Sequence, residues 1–391
     1  MSHDLLRLSC EFEERFGRPP ELAARAPGRV NLIGEHTDYN GGLVLPCAID
    51  RDTVVLGARR DDARFRVHSR ELRADAVFDA GTLCRTGGWV DYVQGVVFAL
   101  AERGGRVPGL DLAIASEVPE GAGLSSSAAL EVAIATLLAH AAEDDLPPRE
   151  RARIAHRAES GFVGVACGVM DQLASAMGRE GAALRIDCTS LAISVVPLPE
   201  AAALLIVDSG VRHRLSDGEY NRRRRECEVA LAAAQSAGVA PAGAATLRAL
   251  TTADLPALAR SLDALSLRRV RHVLTENDRV DEVCDALAKG DLPRAGVALR
   301  AGMESLRRDF EVAVPETEAL CEIGDATPGV FGSRMTGAGF GGCTVHLVAR
   351  DMAGGAQSAI VAGFARRYGR APRAWLVRAA RGAERLTLPA A

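Results

Sequence analysis

The sequence has 391 residues, of which 48% are hydrophobic and 25% are charged, and its formal net charge is −4. This composition excludes a disordered chain, and the lack of a basic excess argues against a protein that binds nucleic acid phosphates. One packed core seldom serves so long a chain, so we expect two domains of roughly 150–200 residues each.

In chain order, apolar residues at helical spacing in 1–24 predict a leading helix that stops at Pro19-Pro20. Strands are predicted at 42–49, 53–58, 65–69 and 110–115, and helices at 92–102, 127–140, 149–161 and near Met170. A strand at 204–208 opens a second region with helices at 221–237 and 267–288 and strands at 332–335 and 344–349. Because strands and helices mix without a regular βαβ order, an α+β fold is favoured over a doubly wound sheet.

The cysteines and the N-terminal residues predict a reducing, cytoplasmic compartment. The nine cysteines are an odd set without a Cys-x-x-Cys pair, which predicts free thiols in a reducing environment. No long apolar run is present, and residues 1–14 lack the basic-then-apolar order of a signal peptide. We therefore expect a cytoplasmic protein that is neither secreted nor membrane-spanning.

The chain contains a single lysine, Lys289, in a context typical of a helix end followed by a turn. A P-loop, a protein kinase site and Schiff-base chemistry each need a lysine at the reacting group. Phosphate chemistry in this protein must therefore rest on arginine, backbone N–H groups, helix dipoles and a metal ion.

The first motif is a polar turn. It reads Ala26-Pro-Gly-Arg-Val-Asn-Leu-Ile-Gly-Glu-His-Thr-Asp-Tyr-Asn-Gly-Gly. Carboxylates accept hydrogen bonds from two hydroxyls and imidazole can donate or accept, so Glu35, His36 and Asp38 suit a polyol. The same residue types also allow a metal site or an ordinary polar turn, and the motif alone leaves these readings open.

The second motif is a glycine-rich turn that leads into a helix. It reads Val118-Pro-Glu-Gly-Ala-Gly-Leu-Ser-Ser-Ser-Ala-Ala-Leu-Glu-Val-Ala. Glycines let the backbone approach an anion, and the helix presents its positive end to the turn. A serine N-cap is the plain alternative, but it does not account for three serines together with Gly121 and Gly123. Phosphate binding is therefore favoured.

The third motif, Ser333-Arg-Met-Thr-Gly-Ala-Gly-Phe-Gly-Gly-Cys, has four glycines in six residues between apolar strands. A bulge needs only one or two, so a second ligand-lining loop is favoured. Between the second and third motifs, Asp171 lies in an apolar setting. Its local sequence fits an N-cap or a surface residue as well as a catalytic group.

Taken in this order, the motifs resemble the GHMP kinase superfamily, and the first motif resembles the galactokinase family almost letter for letter. The resemblance spans nearly the whole chain, because it continues through 121–132, 158–164, 168–173, 219–220, 222–230, 271–277, 310–315 and 334–343. It implies a two-domain fold. The N-terminal domain, residues 1–185, would bind nucleotide and sugar and resemble the second domain of ribosomal protein S5. Residues 186–391 would form a ferredoxin-like domain, with the active site in the cleft.

The resemblance also implies an activity, which is transfer of the γ-phosphoryl group of ATP to the C1 hydroxyl of galactose, the first committed step of galactose catabolism. Its expected ligands are galactose, ATP and Mg²⁺, with no nucleic acid or membrane partner, and the expected state is a monomer. By matching positions, Asp171 is the base and Arg29 stabilises developing charge. The sugar-binding residues would be Glu35, His36, Thr37, Asp38, Gly168 and Tyr220. The nucleotide would contact Ser69, Gly121, Ala122, Gly123, Leu124, Ser125, Ser126 and Ser127, and the metal ion would contact Ser127 and Glu159.

The sequence departs from the family pattern at Ala338, where glycine is common, at Met303, where histidine is usual, and at Arg308, where an acid is usual. None belongs to the implied catalytic set. Two other functions stay open. One is a related sugar 1-kinase acting on N-acetylgalactosamine or arabinose, and the other is an inactive galactose sensor. Sensors resemble kinases with a damaged phosphate loop, whereas Ser125-Ser-Ser-Ala-Ala is intact here.

Overall fold

The leading helix begins where an aspartate caps it. The Asp4 carboxylate accepts hydrogen bonds from the backbone N–H groups of Leu6 and Arg7 at 3.1 and 3.2 Å, which satisfies donors that a helix start leaves free. Gly17 then adopts a left-handed conformation with φ of 73° and closes the helix. The helix therefore ends just before Pro19, as predicted.

The computed structural model describes residues 4–104, 107–165, 167–212 and 216–389, with the backbone alone for 216 and 217. The helices are α1 Leu5–Phe16, α2 Val90–Glu102, α3 Ser126–Ala141, α4 Pro148–Arg157, α5 Met170–Met177, α6 Ser216–Ser236, α7 Leu255–Ser261, α8 Ala264–Ala288, α9 Leu292–Ser305, α10 Pro315–Asp325 and α11 Ala353–Tyr368. The strands are β1 Leu22–Asn31, β2 Leu43–Val44, β3 Pro46–Arg59, β4 Arg64–Ser69, β5 Ala74–Asp79, β6 Leu110–Ser116, β7 Ala182–Asp187, β8 Ile193–Pro197, β9 Ala202–Asp208, β10 Val330–Thr336, β11 Cys343–Ala349, β12 Arg373–Val377 and β13 Glu384–Arg385.

In the described chain, five strands of the first half and β13 from the C-terminal end form a six-stranded sheet in the order β13-β1-β3-β6-β4-β5. Every neighbouring pair is antiparallel except β4 and β6, which are parallel. Helices α2, α3, α4 and α5 cover one face, and the core between them and the sheet is aliphatic, with Val55, Phe65, Val132 and Leu173 among its buried members. Helix α1 packs on the opposite face through Leu8 and Phe12.

The second half is built around a four-stranded antiparallel sheet in the order β10-β11-β9-β12, counted within the described residues. Helices α10 and α11 pack on one face, where Leu205, Val207 and Phe364 are buried. Helices α8 and α9 lie on the other face and share a core with β1 and β2 of the first half. This shared core fixes the two sheets relative to each other, and therefore fixes the cleft between them.

Most predicted elements are confirmed to within a few residues, but two segments differ. The strands predicted separately at 42–49 and 53–58 are largely one strand, β3, because Thr53 to Arg59 continue the pairing with β6 without a turn. Strand β1, Leu22–Asn31, follows the leading helix and was not among the predicted strands. Among the described residues, no helix combines the length and the hydropathy needed to cross a bilayer.

A domain boundary at residue 185 stays a prediction. That position lies within β7, which pairs with β2 on one side and β8 on the other. In addition, β13 returns to pair with β1, where Ala24 faces Arg385. Backbone hydrogen bonds therefore join the two halves of the chain at more than one place.

Helix α9 packs closely on β10 at a glycine, which makes the contact testable. A Cβ atom at Gly296 would lie 1.9 Å from the carbonyl oxygen of Phe331, whereas a Cβ at Gly355 on α11 would meet no atom within 4 Å. We expect Gly296→Ala to lower the free energy of unfolding by about 1–3 kcal/mol through overpacking. The matched variant Gly355→Ala should raise it by up to about 1 kcal/mol. Urea unfolding followed by circular dichroism measures both, and equal effects would contradict this packing.

Candidate active site

The first motif forms a loop that leaves β1 and folds back to β2. Gly34 makes the turn with φ of 102°, and a Cβ there would lie 2.6 Å from the carbonyl oxygen of Leu43. The fully buried Thr37 hydroxyl lies 2.8 Å from the carbonyl oxygen of Gly34 and 2.6 Å from that of Leu43. The Thr37 side chain thus closes the loop and does not line the cavity described below. A sugar contact from Thr37 stays a prediction.

His36 joins the first motif to the third. Its Nε2 lies 3.0 Å from the carbonyl oxygen of Ala338, which can only accept, so Nε2 carries the proton. The Nδ1 atom, at 2.9 Å, then accepts from the Tyr39 hydroxyl. Burial lowers the pKa of His36 to about 3, so the ring is neutral at physiological pH. Only the backbone of Ala338 takes part, which explains how alanine can replace glycine there.

Glu35 is held by a buried ion cluster. Its Oε2 accepts from Arg334, whose guanidinium also donates to Glu276 at 2.7 Å, and all three side chains are at most 2% exposed. Burial raises the pKa of Glu35 to about 7 although Arg334 opposes the shift. Arg334 and Arg279 outweigh burial at Glu276 and hold its pKa well below the usual range. One guanidinium thus contacts two carboxylates whose pKa values are shifted in opposite directions.

The motifs surround a cavity of about 370 Å³. Asp38 and Gly168 are in such close contact that a Cβ at Gly168 would lie 2.1 Å from Asp38 Oδ2. Tyr220, from α6, forms part of the wall and its ring centroid lies 5.5 Å from that of His36. Five of the six predicted sugar-binding residues line this one cavity, namely Glu35, His36, Asp38, Gly168 and Tyr220.

Arg29 and Asp171 form a bidentate pair at the wall of the same cavity. The Arg29 Nε and Nη2 atoms each donate to one Asp171 oxygen at 2.8 Å. The Ser125 hydroxyl also donates to Asp171 Oδ2. A carboxylate offers four lone-pair positions, so one position on Oδ1 is left for another donor. Asp171 is thus fixed in orientation while its side chain stays 28% exposed.

The second motif forms the turn predicted to bind phosphate. Gly121, Gly123 and Ser125 have positive φ values of 64°, 77° and 58°, and α3 follows with its positive end toward the turn. Arg29 holds this turn through two hydrogen bonds. Its Nη1 donates to the Gly123 carbonyl oxygen at 2.6 Å, and its backbone N–H donates to the Leu124 carbonyl oxygen at 3.1 Å. The side chains of Ala122 and Leu124 are buried, so these two residues can offer an anion only their backbone N–H groups.

A second cavity, of about 690 Å³, lies on the outer side of this turn. Its wall includes Ser69, Trp89, Gly121, Ser126 and Ser127, and Tyr92 lines both cavities. Ser69 therefore lines the same cavity as the phosphate turn, and its predicted nucleotide contact stays a prediction. The two cavities are thus neighbours that share Tyr92 as a wall residue.

Ser127 and Glu159 were predicted to hold a metal ion, and the structure brings them into hydrogen-bond contact. Glu159 is 7% exposed, and burial together with the charge of Asp171 raises its pKa. Among the described residues, no group of three or more His, Cys, Asp and Glu side chains could hold a metal ion alone. One carboxylate and one hydroxyl fit Mg²⁺, which prefers oxygen ligands and takes the remainder from water and phosphate.

Three family models match the chain. The galactokinase galactose-binding signature covers residues 10–59, the GHMP kinase N-terminal domain covers 91–179, and the GHMP kinase C-terminal domain covers 250–365. The chain is 46% identical over 371 residues to the galactokinase of Chloroflexus aurantiacus, with 94% of each chain covered. The galactokinase of Chloroflexus aggregans is 45% identical over 370 residues, again with 94% of each covered.

The chain belongs to the galactokinase family.

Comparison with solved structures supports this family assignment. Lactococcus lactis galactokinase complexed with galactose superposes with a TM-score of 0.92 at 31% identity, covering 98% of this chain and 100% of that one. Methanococcus jannaschii mevalonate kinase shares the fold at a TM-score of 0.66 and 15% identity, over 92% of this chain and 98% of its own. The predicted α+β, two-domain GHMP kinase architecture is confirmed. Members of the galactokinase family are ATP-dependent sugar kinases.

The sequence argument missed several residues that build this galactokinase site. Arg334 and Glu276 were recognised only as parts of family-like segments, yet both are fully buried beside Glu35. Gln172, next to Asp171, donates to Glu159 at 2.6 Å. The sequence did contain a signal for Arg334. A charged residue between apolar positions of a strand predicts a buried partner of opposite charge. Nothing in the sequence indicated which carboxylates those partners are.

The close contact between Gly168 and Asp38 tests the sugar cavity. In Gly168→Ala the new methyl group must displace the Asp38 carboxylate, so we expect galactose affinity to fall at least about tenfold, equivalent to about 1.4 kcal/mol. Nucleotide binding should change little because the phosphate turn is elsewhere. Isothermal titration calorimetry measures both ligands.

Gly243→Ala is the control, since a Cβ there meets nothing within 4 Å. Unchanged galactose affinity in folded Gly168→Ala would show that Asp38 does not face the sugar.

Proposed function

We propose that the protein transfers the γ-phosphoryl group of ATP to the C1 hydroxyl of galactose, giving galactose 1-phosphate and ADP. The observation that carries this proposal is the Arg29–Asp171 pair, which lies on the wall of the 370 Å³ cavity and is hydrogen-bonded to the glycine-rich turn at Gly123. A carboxylate in that position can reach a sugar hydroxyl on one side while the turn holds phosphates on the other.

In this proposal, the 370 Å³ cavity binds galactose. Burial raises the pKa of Asp38 to about 6, so below that pH the group gains a proton and above it the charged acceptor predominates. Asp38 can therefore accept from sugar hydroxyls at neutral pH. Tyr220 adds a hydroxyl on the wall formed by α6. A buried acceptor that the wrong epimer leaves unpaired costs about 1–3 kcal/mol, which favours one sugar configuration over another.

Asp171 acts as the general base and takes the proton of the attacking C1 hydroxyl through the free position on Oδ1. Arg29 and Ser125 hold the carboxylate still, so the hydroxyl meets a fixed acceptor. The transition state of phosphoryl transfer spreads negative charge over the phosphoryl oxygens. Arg29 lies at the junction of the turn and the cavity and can stabilise that charge, a role that other kinases often give to lysine.

The 690 Å³ cavity binds ATP, with Ser69 beside the nucleotide and Gly121 to Ser127 around the phosphates. Backbone N–H groups of the turn and the positive end of α3 supply the attraction for the anion. Ser127 and Glu159 would hold Mg²⁺, which when bound neutralises phosphate charge. A monomeric state and a cytoplasmic location belong to the same proposal, and the nine free cysteines support the reducing compartment.

The proposal is tested by offering purified protein ATP, Mg²⁺ and a panel of galactose, glucose, N-acetylgalactosamine and arabinose. We expect ADP release with galactose at a kcat/KM at least about tenfold above that with glucose, and ³¹P NMR should show a C1 phosphate. Preference for N-acetylgalactosamine or arabinose would reassign the substrate. Galactose binding by calorimetry without any ADP release would instead indicate a sensor.

If Asp171 is the general base, a substitution that removes only its charge should greatly lower kcat. Asp171→Asn keeps the shape but removes the charge, so kcat should fall by about 10²–10⁴ while ATP affinity persists. Arg29→Lys should also lower kcat, because lysine cannot form the bidentate pair. Steady-state kinetics on folded protein measure these effects.

Asp281→Asn, which alters a surface ion pair with Arg185, is the matched control and should leave kcat unchanged. An Asp171→Asn enzyme that keeps more than about a tenth of wild-type kcat would rule out the base role.

A further inference from the structure

Behind Glu159, two further polar side chains are sealed inside the first half of the protein. Glu131, on α3, and Gln172, on α5, are both 0% exposed. The Gln172 Nε2 atom lies 2.6 Å from Glu159 Oε2 and 3.4 Å from Glu131 Oε2. One amide group therefore connects two carboxylates through its two N–H donors.

The amide is held by those N–H groups alone. Gln172 Oε1 and Glu131 Oε1 have no hydrogen-bond partner within the described part of the chain. Replacing the amide by an apolar group of the same length would therefore remove every hydrogen bond that this side chain gives to Glu159. Few buried polar groups are left unpaired in proteins, so a cluster with two such atoms calls for a functional explanation.

Charge explains why an amide is needed between the carboxylates. Neither Glu131 nor Glu159 makes an ion pair with a described lysine or arginine, so two like charges would face each other in an apolar setting. Burial, together with the charge of Glu159, raises the pKa of Glu131 well above its usual range. The Gln172 amide donates to both carboxylates and so lies between them in this apolar setting.

Helix α5 places this support next to the base. Asp171 and Gln172 are consecutive residues, and the first points to Arg29 while the second points to Glu159. On α3, Ser127 and Glu131 are four residues apart and share one face of the helix. The face of α3 thus carries the proposed ligand Ser127 and Glu131, whereas Glu159 comes from the separate helical turn Ala158–Val163.

We propose that Gln172, anchored by Glu131, is the positioning residue that holds Glu159 in orientation to bind Mg²⁺. The inference rests on the proposed function, because it takes Glu159 as a metal ligand. Groups that orient a ligating carboxylate from behind are worth about 10–100-fold in metal affinity. The amide binds Glu159 Oε2, which the Cys167 thiol also approaches at 3.6 Å, and so restrains the orientation of the carboxylate.

The test replaces Gln172 by methionine, which has a similar length and no N–H group. Mn²⁺ serves as the probe, and its binding to the protein with a non-hydrolysable ATP analogue is followed by electron paramagnetic resonance. We expect Mn²⁺ affinity to fall about 10–100-fold, and the Mg²⁺ concentration for half-maximal activity to rise by a similar factor. The galactose dissociation constant should stay within about twofold.

Three variants serve as controls. Glu131→Gln keeps an acceptor oxygen and should stay within about threefold of wild type, whereas Glu159→Gln should lose Mn²⁺ affinity at least as far as Gln172→Met. Gln235→Met makes the same substitution where the amide donates to the Ala244 carbonyl, remote from both cavities, and should have no effect on Mn²⁺. A purely structural role would lower the melting temperature without changing the Mn²⁺ affinity.

The inference is overturned if folded Gln172→Met binds Mn²⁺ within about twofold of wild type. If that variant does not fold, Gln172→Asn, which retracts the same amide by one methylene, is measured in the same way. Failure of the proposed metal site is distinguishable, because wild type would then not bind the Mn²⁺–nucleotide complex, or Glu159→Gln would bind it normally.

Discussion

The rest of the site depends on the hydrogen bonds of Arg29. One guanidinium binds both oxygens of Asp171 and the carbonyl of Gly123, and the backbone N–H of the same residue binds Leu124. A strand, a helix and the phosphate turn therefore meet at one residue. Lysine has no planar fork and could not make these contacts together. The geometry of the cleft thus depends on guanidinium hydrogen bonds with fixed directions. The ammonium group of a lysine would not fix those directions.

The buried cluster of Glu35, Arg334 and Glu276 extends this arrangement across the cleft. Arg334 comes from β10 in the second half and Glu35 from the loop after β1 in the first, so the ion pair spans the two halves of the protein. A Cβ at Gly302 would lie 2.5 Å from Arg334 Nη1, which shows how closely α9 packs on that guanidinium. Breaking one partner of a buried pair leaves an uncompensated charge, typically worth 3–5 kcal/mol. This cluster adds a buried ionic contact between the two halves to the apolar core that they already share.

Much of this arrangement could be predicted from the sequence. The glycine and serine positions of the phosphate turn, the polar first motif and the long helix α3 follow from local rules on turns, caps and periodicity. The proximity of Ser127 to Glu159 was predicted from the family resemblance. Local rules could not supply the partners of Arg334 or the contact of Gly168 with Asp38, since those pairs are far apart in the chain and meet only in the folded protein. For Thr37, family resemblance predicted a sugar contact. In the structure its hydroxyl instead contacts backbone carbonyl oxygens of its own loop.

The pairing of β13 with β1 has a consequence for how the protein is made. Arg25 and Glu384 form an ion pair although they are 359 positions apart in the chain. While the ribosome is still translating the second half, β1 has one side without its partner strand. An unpaired strand edge exposes a row of free N–H and C=O groups and can recruit other chains. Completion of the first sheet therefore waits for nearly the whole second half to emerge, and during that interval the free edge of β1 is open to pairing with other chains.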